Sequence, residues 1–223
     1  MIVLGLDGAL GGFSAAIVRD GEIIATQMLE GNVALEGGLG ALTRLMRDAG
    51  VEPRHLDRLA VGIGPGTFTG LRITIAYAKS LAQAWERPLV AVSSFDVLEF
   101  GRELPTVLSL VAGRAGVVSA RYRTHGAVAR ASGRTGEVLH EILHGIEPGE
   151  LPIIGAPEDV LCALAEGGWT VSVLAPLVTP PAAAVALLGV SAPPAANVHM
   201  VRADYGELPA AKVPRFEPAP RPR

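Results

Sequence analysis

The order of apolar and polar positions in the first half of the chain predicts alternating strands and helices. Three short apolar runs come first, and the Asp20-Gly21 pair between the second and third is a common turn of a β-hairpin. Leu35, Leu39, Leu42 and Met46 then recur at helical spacing. The predicted elements are strands over 2–6, 13–18 and 22–29, a helix over 33–49, a strand over 59–63, a helix over 71–85 and a strand over 89–92.

The second half of the chain repeats this order after a short helical connection over 95–102. Its predicted elements are strands over 106–112, 117–123 and 127–131, a helix over 136–144, a strand over 152–154, a helix over 158–166, a strand over 170–174 and a helix over 182–188. Such a repeat predicts an α/β protein of two duplicated lobes with mixed sheets. We assign residues 1–103 to the first lobe, 104–213 to the second, smaller lobe, and 214–223 to a proline-rich tail that we expect to be disordered or extended.

Composition narrows the class of protein without naming a function. The chain has 223 residues, of which 49% are apolar and 18% charged, as in a packed globular protein. A net charge of −3 argues against unaided binding to a nucleic acid backbone, and the single cysteine excludes an internal disulfide. No uncharged apolar run has the length of a membrane span, and the start lacks the basic segment of a signal peptide. We therefore expect a cytoplasmic protein without a membrane segment.

A glycine-rich turn over 64–70 joins the fourth strand to the long helix. Its three glycines permit positive φ angles and close backbone approach, and Thr67 or Thr69 could accept amide protons of the first helical turn. A Walker-type phosphate loop would need a lysine beside Gly70, where none is found.

An actin-like kinase or ATPase would instead use the first hairpin, where an aspartate and hydroxyl groups lie near the phosphates. Asp7 is present there, but the residues that follow it, Gly8, Ala9 and Leu10, carry no hydroxyl. Backbone amides of Gly8, Gly11 and Gly12 could still contact an anion, so an actin-like ATPase or small-molecule kinase stays as the alternative function.

The long helix carries two apolar stripes on roughly opposite sides. One contains Leu71, Ile75, Ala78, Ala82 and Trp85, and the other contains Ile73, Tyr77, Ser80 and Ala84. One stripe can cover the helix's own sheet, and the other then needs a neighbour. That neighbour is either the first helix of the same lobe or another protein, and the sequence leaves both open.

One segment matches the zincin pattern HExxH. His140 and His144 would lie one helical turn apart with Glu141 between them, as in a zinc hydrolase. The predicted helix is short, and Gly145 ends it, so we expect solvent-facing histidines and keep zinc hydrolysis as a remote alternative. Cys162 lies in an apolar helical run and is expected in the core.

Two segments of the first lobe carry a resemblance to a known family. Leu4-Gly5-Leu6-Asp7, followed by a hairpin and then Gly62-Ile63-Gly64-Pro65-Gly66-Thr67-Phe68-Thr69-Gly70-Leu71-Arg72-Ile73, is similar to the TsaB (YeaZ) family. The similarity continues through residues 76–81 and Val90-Ala91-Val92-Ser93-Ser94, and Ile153-Ile154-Gly155 is compatible with it. The chain departs from the family in having Gly8-Ala9-Leu10 after Asp7, where Asp-Thr-Ser is frequent, and Ala112-Gly113-Arg114 where an Asp-Ala-Arg motif opens the second lobe.

The resemblance implies an actin-like (ASKHA, ribonuclease H-like) fold and a noncatalytic accessory subunit. Such a subunit binds and activates a TsaD-type enzyme for N6-threonylcarbamoylation of adenosine 37 in tRNAs reading ANN codons. A TsaE-type ATPase is the further implied partner, tRNA is contacted only through the complex, and the first-lobe helices form a homodimer when the subunit is alone.

From the resemblance and the second stripe we predict a partner-binding face on these helices. No catalytic, cofactor-binding or metal-binding residue is predicted. The predicted partner-binding residues are Leu39, Leu42, Met46, Gly66, Thr67, Thr69, Gly70, Arg72, Ile73, Tyr77, Ser80 and Ala84.

Overall fold

A computed structural model describes residues 1–30, 37–113, 116–175 and 177–206. The first half contains β1 Ile2–Asp7, β2 Phe13–Arg19, β3 Glu22–Leu29, α1 Gly38–Asp48, β4 Arg58–Gly64, α2 Phe68–Ala84, β5 Leu89–Ser93 and α3 Ser94–Glu99. The second half contains β6 Thr106–Ala112, β7 Val117–Thr124, β8 Ala127–Arg134, α4 Thr135–Leu143, β9 Glu150–Ile154, α5 Glu158–Glu166, β10 Thr170–Leu174 and α6 Pro181–Ser191. Short 3₁₀ turns occupy Pro53–His55 and Val198–Met200. The predictions for the tail over 214–223, for Arg114 and for the start of the first helix concern residues outside this description.

The two halves build two five-stranded mixed sheets with the same topology. The first has the order β3-β2-β1-β4-β5 and the second, taken from its other edge, β8-β7-β6-β9-β10. In each, three antiparallel strands are followed by two parallel ones. The duplication confirms the predicted actin-like α/β fold. The boundary that we propose at residue 103 lies between α3 and β6.

Helices cover both faces of the first sheet. Leu4, Leu6 and Phe13 point to one face, where α1 contacts β2 and β3, and α2 contacts β4 and β1. Val3 and Ala60 point to the other face, which α6 covers by contacts with β1, β2 and β4. The sequence prediction placed this last helix in the second lobe, but its contacts lie in the first.

Close packing of α6 depends on small residues and on one arginine. A Cβ atom at Gly5 would lie 2.2 Å from the carbonyl oxygen of Ala182, and one at Gly189 would lie 2.6 Å from the Cβ of Ala60. The Arg58 guanidinium donates hydrogen bonds to carbonyl oxygens at the end of α6, 3.1 Å from Gly189 and 3.1 Å from Ala192. A cation at the carboxyl end of a helix satisfies its last carbonyls and its dipole.

A buried ion cluster joins α3 to β7 of the second sheet. Glu99 accepts hydrogen bonds from Arg121 Nε at 3.0 Å, Arg123 Nε at 2.8 Å and the Ser109 hydroxyl at 2.7 Å, and Arg121 also pairs with Asp96. Burial alone would raise the pKa of Glu99, but the bonds from Ser109 and the two arginines outweigh it, so its pKa lies below the ordinary value. The carboxylate is therefore ionised at neutral pH and ties the two lobes together.

Among the described residues, no helix has the length and apolar character needed to cross a membrane.

Candidate docking face and the cleft between the lobes

The first predicted stripe of α2 faces the sheet. Leu71, Ile75, Ala78 and Ala82 are buried, and Trp85 is half-buried just beyond the end of the helix. Thr74 is also buried, although the predicted stripe did not include it because its side chain is polar. The helix therefore meets the sheet as the apolar periodicity predicts.

The second stripe divides between the chain's own core and the solvent. The Tyr77 ring meets Phe13 edge to face at 6.3 Å and lies beside Gly38 at the start of α1, and Ile73 is half-buried. Ser80 and Ala84, by contrast, are exposed. Part of the stripe therefore packs within its own lobe and part of it remains available to another protein.

The outward side of α1 and α2, which we call the docking face, is centred on small residues. Ala76, Ser80 and Ala84 of α2 are exposed, as is Gly40 of α1. Leu39 is also on this side and 43% exposed. Small residues at the centre of a helix surface allow a second helix to approach closely.

Three of the predicted partner-binding residues do not reach this face. Leu42 and Met46 are buried in the first-lobe core on the inner side of α1, and Gly70 is buried under the glycine-rich turn. The helical spacing of Leu42 and Met46 reflects their contact with the sheet of their own lobe. We therefore remove Leu42, Met46 and Gly70 from the proposed partner-binding residues. The residues that keep accessible surface are Leu39, Gly66, Thr67, Thr69, Arg72, Ile73, Tyr77, Ser80 and Ala84.

The glycine-rich turn serves a contact within the chain. A Cβ atom at Gly70 would lie 1.9 Å from the Gly8 carbonyl oxygen, and one at Gly66 would lie 2.5 Å from that of Ala9. Of the three glycines only Gly64 has a positive φ, 103°. Thr67 does not cap the helix with its side chain, because its hydroxyl donates to the Gly8 carbonyl at 2.9 Å. The turn is thus fastened to the end of the first hairpin.

An aromatic and cationic corner forms one end of the docking face, and of its residues the sequence prediction included only Arg72. Phe68 is 52% exposed, lies 5.0 Å from the Tyr205 ring, and has the Arg72 guanidinium 5.2 Å from its centre. Tyr205 arrives on a segment that follows α6 and returns to the first sheet, where the Asp204 amide donates to the Ile63 carbonyl at 2.7 Å. Exposed aromatic and arginine side chains are enriched where proteins bind each other most tightly.

The cleft between the lobes has an apolar lining. A cavity of about 280 Å³ opens there beside Thr67, and the apolar side chains that line it are Ala9, Leu10, Leu98, Leu110, Val111, Ala112 and Leu177. Within this lining the only side-chain hydroxyl is that of Thr67, which is already bonded to Gly8. Among the described residues, the lining has no cationic side chain to meet the charges of a triphosphate.

Asp7 lies at the end of β1, close to this cleft, and is 1% exposed. Its Oδ1 accepts hydrogen bonds from the Ala9 and Leu10 amides, both at 3.1 Å, whereas Oδ2 is buried against Gly62 and has no hydrogen-bond partner among the residues that the structure describes. Burial raises the pKa of Asp7 to about 6, although the two amide bonds lower it. The carboxyl group acts as the anchor of a turn and is not presented to the cleft.

Asp7→Asn is expected to stabilise the protein at about pH 8 by roughly 2 kcal/mol. Burial raises the pKa of Asp7 from 3.8 to about 6, so in the pH window between these two values the folded state holds a proton that the unfolded state has lost. Above this window the folded state must bury an ionised carboxylate, and the neutral asparagine removes that cost. The contribution of Asp7 to stability is therefore greatest below this window and is lost as pH rises through about 6. Urea denaturation at about pH 5 and about pH 8 measures the effect.

The exposed residue Asp48 provides the control, because Asp48→Asn should change stability little at either pH. Loss of stability in Asp7→Asn at both pH values would show that the buried carboxylate is not the destabilising group.

The histidines of the HExxH segment lie on the surface of the second lobe. Their rings are 5.6 Å apart, and both are exposed at the end of α4, next to Trp169. Among the described residues no group of three histidine, cysteine or acidic side chains could hold a metal ion. Cys162, predicted in the core, is exposed on α5, because the helix turns Val160 and Leu164 inward instead.

Comparisons with known proteins agree with this description. A family model described as "TsaD: tRNA N6-adenosine threonylcarbamoyltransferase" matches residues 38–153. The chain is 32% identical over 100 residues to "tRNA threonylcarbamoyladenosine biosynthesis protein TsaB" of Bacillus subtilis, covering 44% of this chain and 43% of that protein. It is 30% identical over 113 residues to "tRNA N6-adenosine threonylcarbamoyltransferase" of Thermomicrobium roseum, covering 43% of this chain and 31% of that protein. The chain thus matches less than half of the length of each of these curated relatives.

Solved structures extend the likeness to nearly the whole chain. A Pseudomonas aeruginosa protein described as having similarity to peptidase YEAZ superposes with a TM-score of 0.72 at 21% identity, covering 92% of this chain and 99% of that one. YeaZ from the same organism superposes with a TM-score of 0.68 at 19% identity over the same shares. This likeness concerns the fold. The family model spans just over half of the chain, and the chain therefore belongs to the family that this model describes.

Proposed function

We propose that this chain is a noncatalytic accessory subunit for tRNA threonylcarbamoyladenosine synthesis. Its docking face binds a TsaD-type catalytic subunit and holds that enzyme in an active arrangement. The reaction that it supports is N6-threonylcarbamoylation of adenosine 37 in tRNAs reading ANN codons.

The observation that carries this proposal is the docking face itself. In a family member whose relatives include a TsaB protein, two amphipathic helices cover the same face of the first sheet, and α2 exposes the small residues Ala76, Ser80 and Ala84. Beside that centre lies the corner formed by Phe68 and Arg72. A helical surface of small exposed residues with an aromatic anchor at its edge suits a helical partner.

The cleft supports the noncatalytic part of the proposal. Its apolar side chains and the buried Asp7 leave no evident set of groups for phosphate chemistry among the described residues. The same features give no support to the actin-like ATPase or kinase, and the exposed pair His140 and His144 gives none to the zinc hydrolase.

Further partners follow from the same role. A TsaE-type ATPase joins the complex, tRNA is contacted through the catalytic subunit, and the chain works in the cytoplasm. Without its partner the chain pairs with a second copy through the docking face.

Reconstitution of the tRNA modification with and without this chain tests the proposal. With TsaD-type and TsaE-type proteins and unmodified tRNA, adding the chain should raise product formation about tenfold or more. A preparation treated with a chelator should act equally well. Equal product without the chain would contradict the accessory role, and phosphate release from ATP by the chain alone would favour the ATPase alternative.

A further inference from the structure

The docking face is basic, although the chain as a whole is acidic. Arg44 is exposed on α1, Arg72 is exposed on α2, and Lys79, about two helical turns from Arg72 on α2, is half-buried. None of these three cations forms an ion pair within the described residues. The whole chain, by comparison, has a formal net charge of −3.

Carboxylates on the same two helices do not balance these cations. Asp48 is paired with Arg47 at 3.0 Å, and Glu86 follows the carboxyl end of α2. Within the described part of the chain, the two helices therefore carry three positive charges without a carboxylate partner.

Arg72 is the best-placed of these cations for recognition. Its guanidinium is held over the Phe68 ring at 5.2 Å, and Phe68 in turn rests against Tyr205. An arginine fixed by stacking keeps its hydrogen-bond donors free and loses less conformational entropy when a carboxylate binds.

These charges distinguish between the two proteins that could bind the docking face, a second copy of this chain and a different partner. A second copy paired through a two-fold axis would bring the same cations from both chains into one interface. Like charges that face each other across an interface weaken binding, whereas carboxylates on a different partner strengthen it and speed association.

We infer that the docking face selects a heteromeric partner whose contacting helices carry carboxylates opposite Arg44, Arg72 and Lys79. Pairing with a second copy is the weaker, charge-opposed alternative on the same face. This inference rests on the proposed function and adds the chemistry of the partner's surface. Its consequence is that salt acts in opposite directions on the two associations, because salt screens attraction and repulsion alike.

Sedimentation velocity at about 50 mM and about 500 mM sodium chloride tests the inference. The samples are the full chain alone and the full chain with the TsaD-type protein of the same organism. We expect the heteromeric dissociation constant to rise about tenfold with salt and self-association to stay constant or strengthen.

Charge-reversed variants supply the second measurement. Arg72→Glu should weaken the heteromeric complex about tenfold or more at low salt and should not weaken self-association. Arg134→Glu reverses an exposed arginine in the second lobe and should leave both associations unchanged. Circular dichroism of each variant confirms that it is folded.

The outcomes separate this inference from the function on which it rests. No heteromeric complex at either salt concentration would overturn the proposed function itself. A complex that forms but is insensitive to salt and to Arg72→Glu would overturn only the charge selection. Self-association that weakens as salt rises would also overturn it, because attraction would then dominate between two copies.

Discussion

Glu99→Ala is expected to lower the free energy of unfolding by about 3 to 5 kcal/mol. The substitution leaves the Arg121 guanidinium buried, at 6% exposure, without its principal carboxylate, and it removes the acceptor of Arg123 and Ser109. Arg121 then keeps only Asp96, whose side chain is 47% exposed, and a buried charge that loses its buried partner costs far more than the absence of both charges. Urea denaturation at neutral pH measures the change.

The matched control is Glu103→Ala, an exposed carboxylate four positions further along the same connection. Its stability should change by less than about 0.5 kcal/mol. If Glu99→Ala lost no more than this control, the ion cluster would not be holding the lobes together. Arg121→Met added to Glu99→Ala should recover part of the loss, because it removes a buried charge that has lost its buried partner and keeps only Asp96.

The ion cluster makes the free energy of unfolding depend on pH in the opposite sense to Asp7. Because the folded-state pKa of Glu99 lies below its ordinary value of 4.5, its contribution is present above that value and is lost as pH falls. Asp7 instead favours folding at lower pH. The two variants at these positions therefore separate the two effects in one set of pH titrations.

Ala76→Gln combined with Ser80→Gln is expected to weaken binding to the proposed TsaD-type partner about 100-fold. Both positions are exposed at the centre of the docking face, where a longer side chain keeps a facing helix from close approach. Glutamine is neutral and favours helix, so the change tests shape at constant charge. Isothermal titration calorimetry with the partner measures the affinity.

Ala165→Gln is the control, since Ala165 is an exposed alanine on α5 in the second lobe. The Ala165→Gln variant should bind the partner with the same affinity as the unmodified chain. Tyr77 makes a poorer probe than Ala76, because its ring packs on Phe13 and a charge there would disturb the fold. Unchanged affinity in the double variant would place the partner on another surface.

Local patterns predicted most of the strands and helices because each is decided by neighbouring residues. The Asp20-Gly21 turn sets the second hairpin, and indeed Asp20 and Gly21 both adopt positive φ angles there. Periodicity likewise oriented α2, whose buried positions recur at helical spacing. What the pattern of α6 could not specify was its place: seven of its residues are buried and it has no polar face, so nothing in its sequence selects one sheet.

The candidate site was harder to predict because it depends on contacts between distant segments. The sequence pattern around Leu42 and Met46 is the same whether these side chains face a sheet or a partner. Only the packing of α1 shows that they face the sheet. Phe68 and Arg72 fall in the predicted motif, but Tyr205, which rests on Phe68, comes from the far end of the described chain. Similarly, the glycines of the turn signalled a close approach without naming Gly8 and Ala9 as the neighbours.

The position of α6 has a consequence for folding during synthesis. One face of the amino-terminal sheet, including Val3, Val18 and Ala60, is covered by residues 182–186 of this helix. A ribosome must therefore complete both lobes before that face is protected from water and from other nascent chains. We expect the first lobe to remain dependent on chaperones until α6 emerges, whatever the stability of its local hairpins.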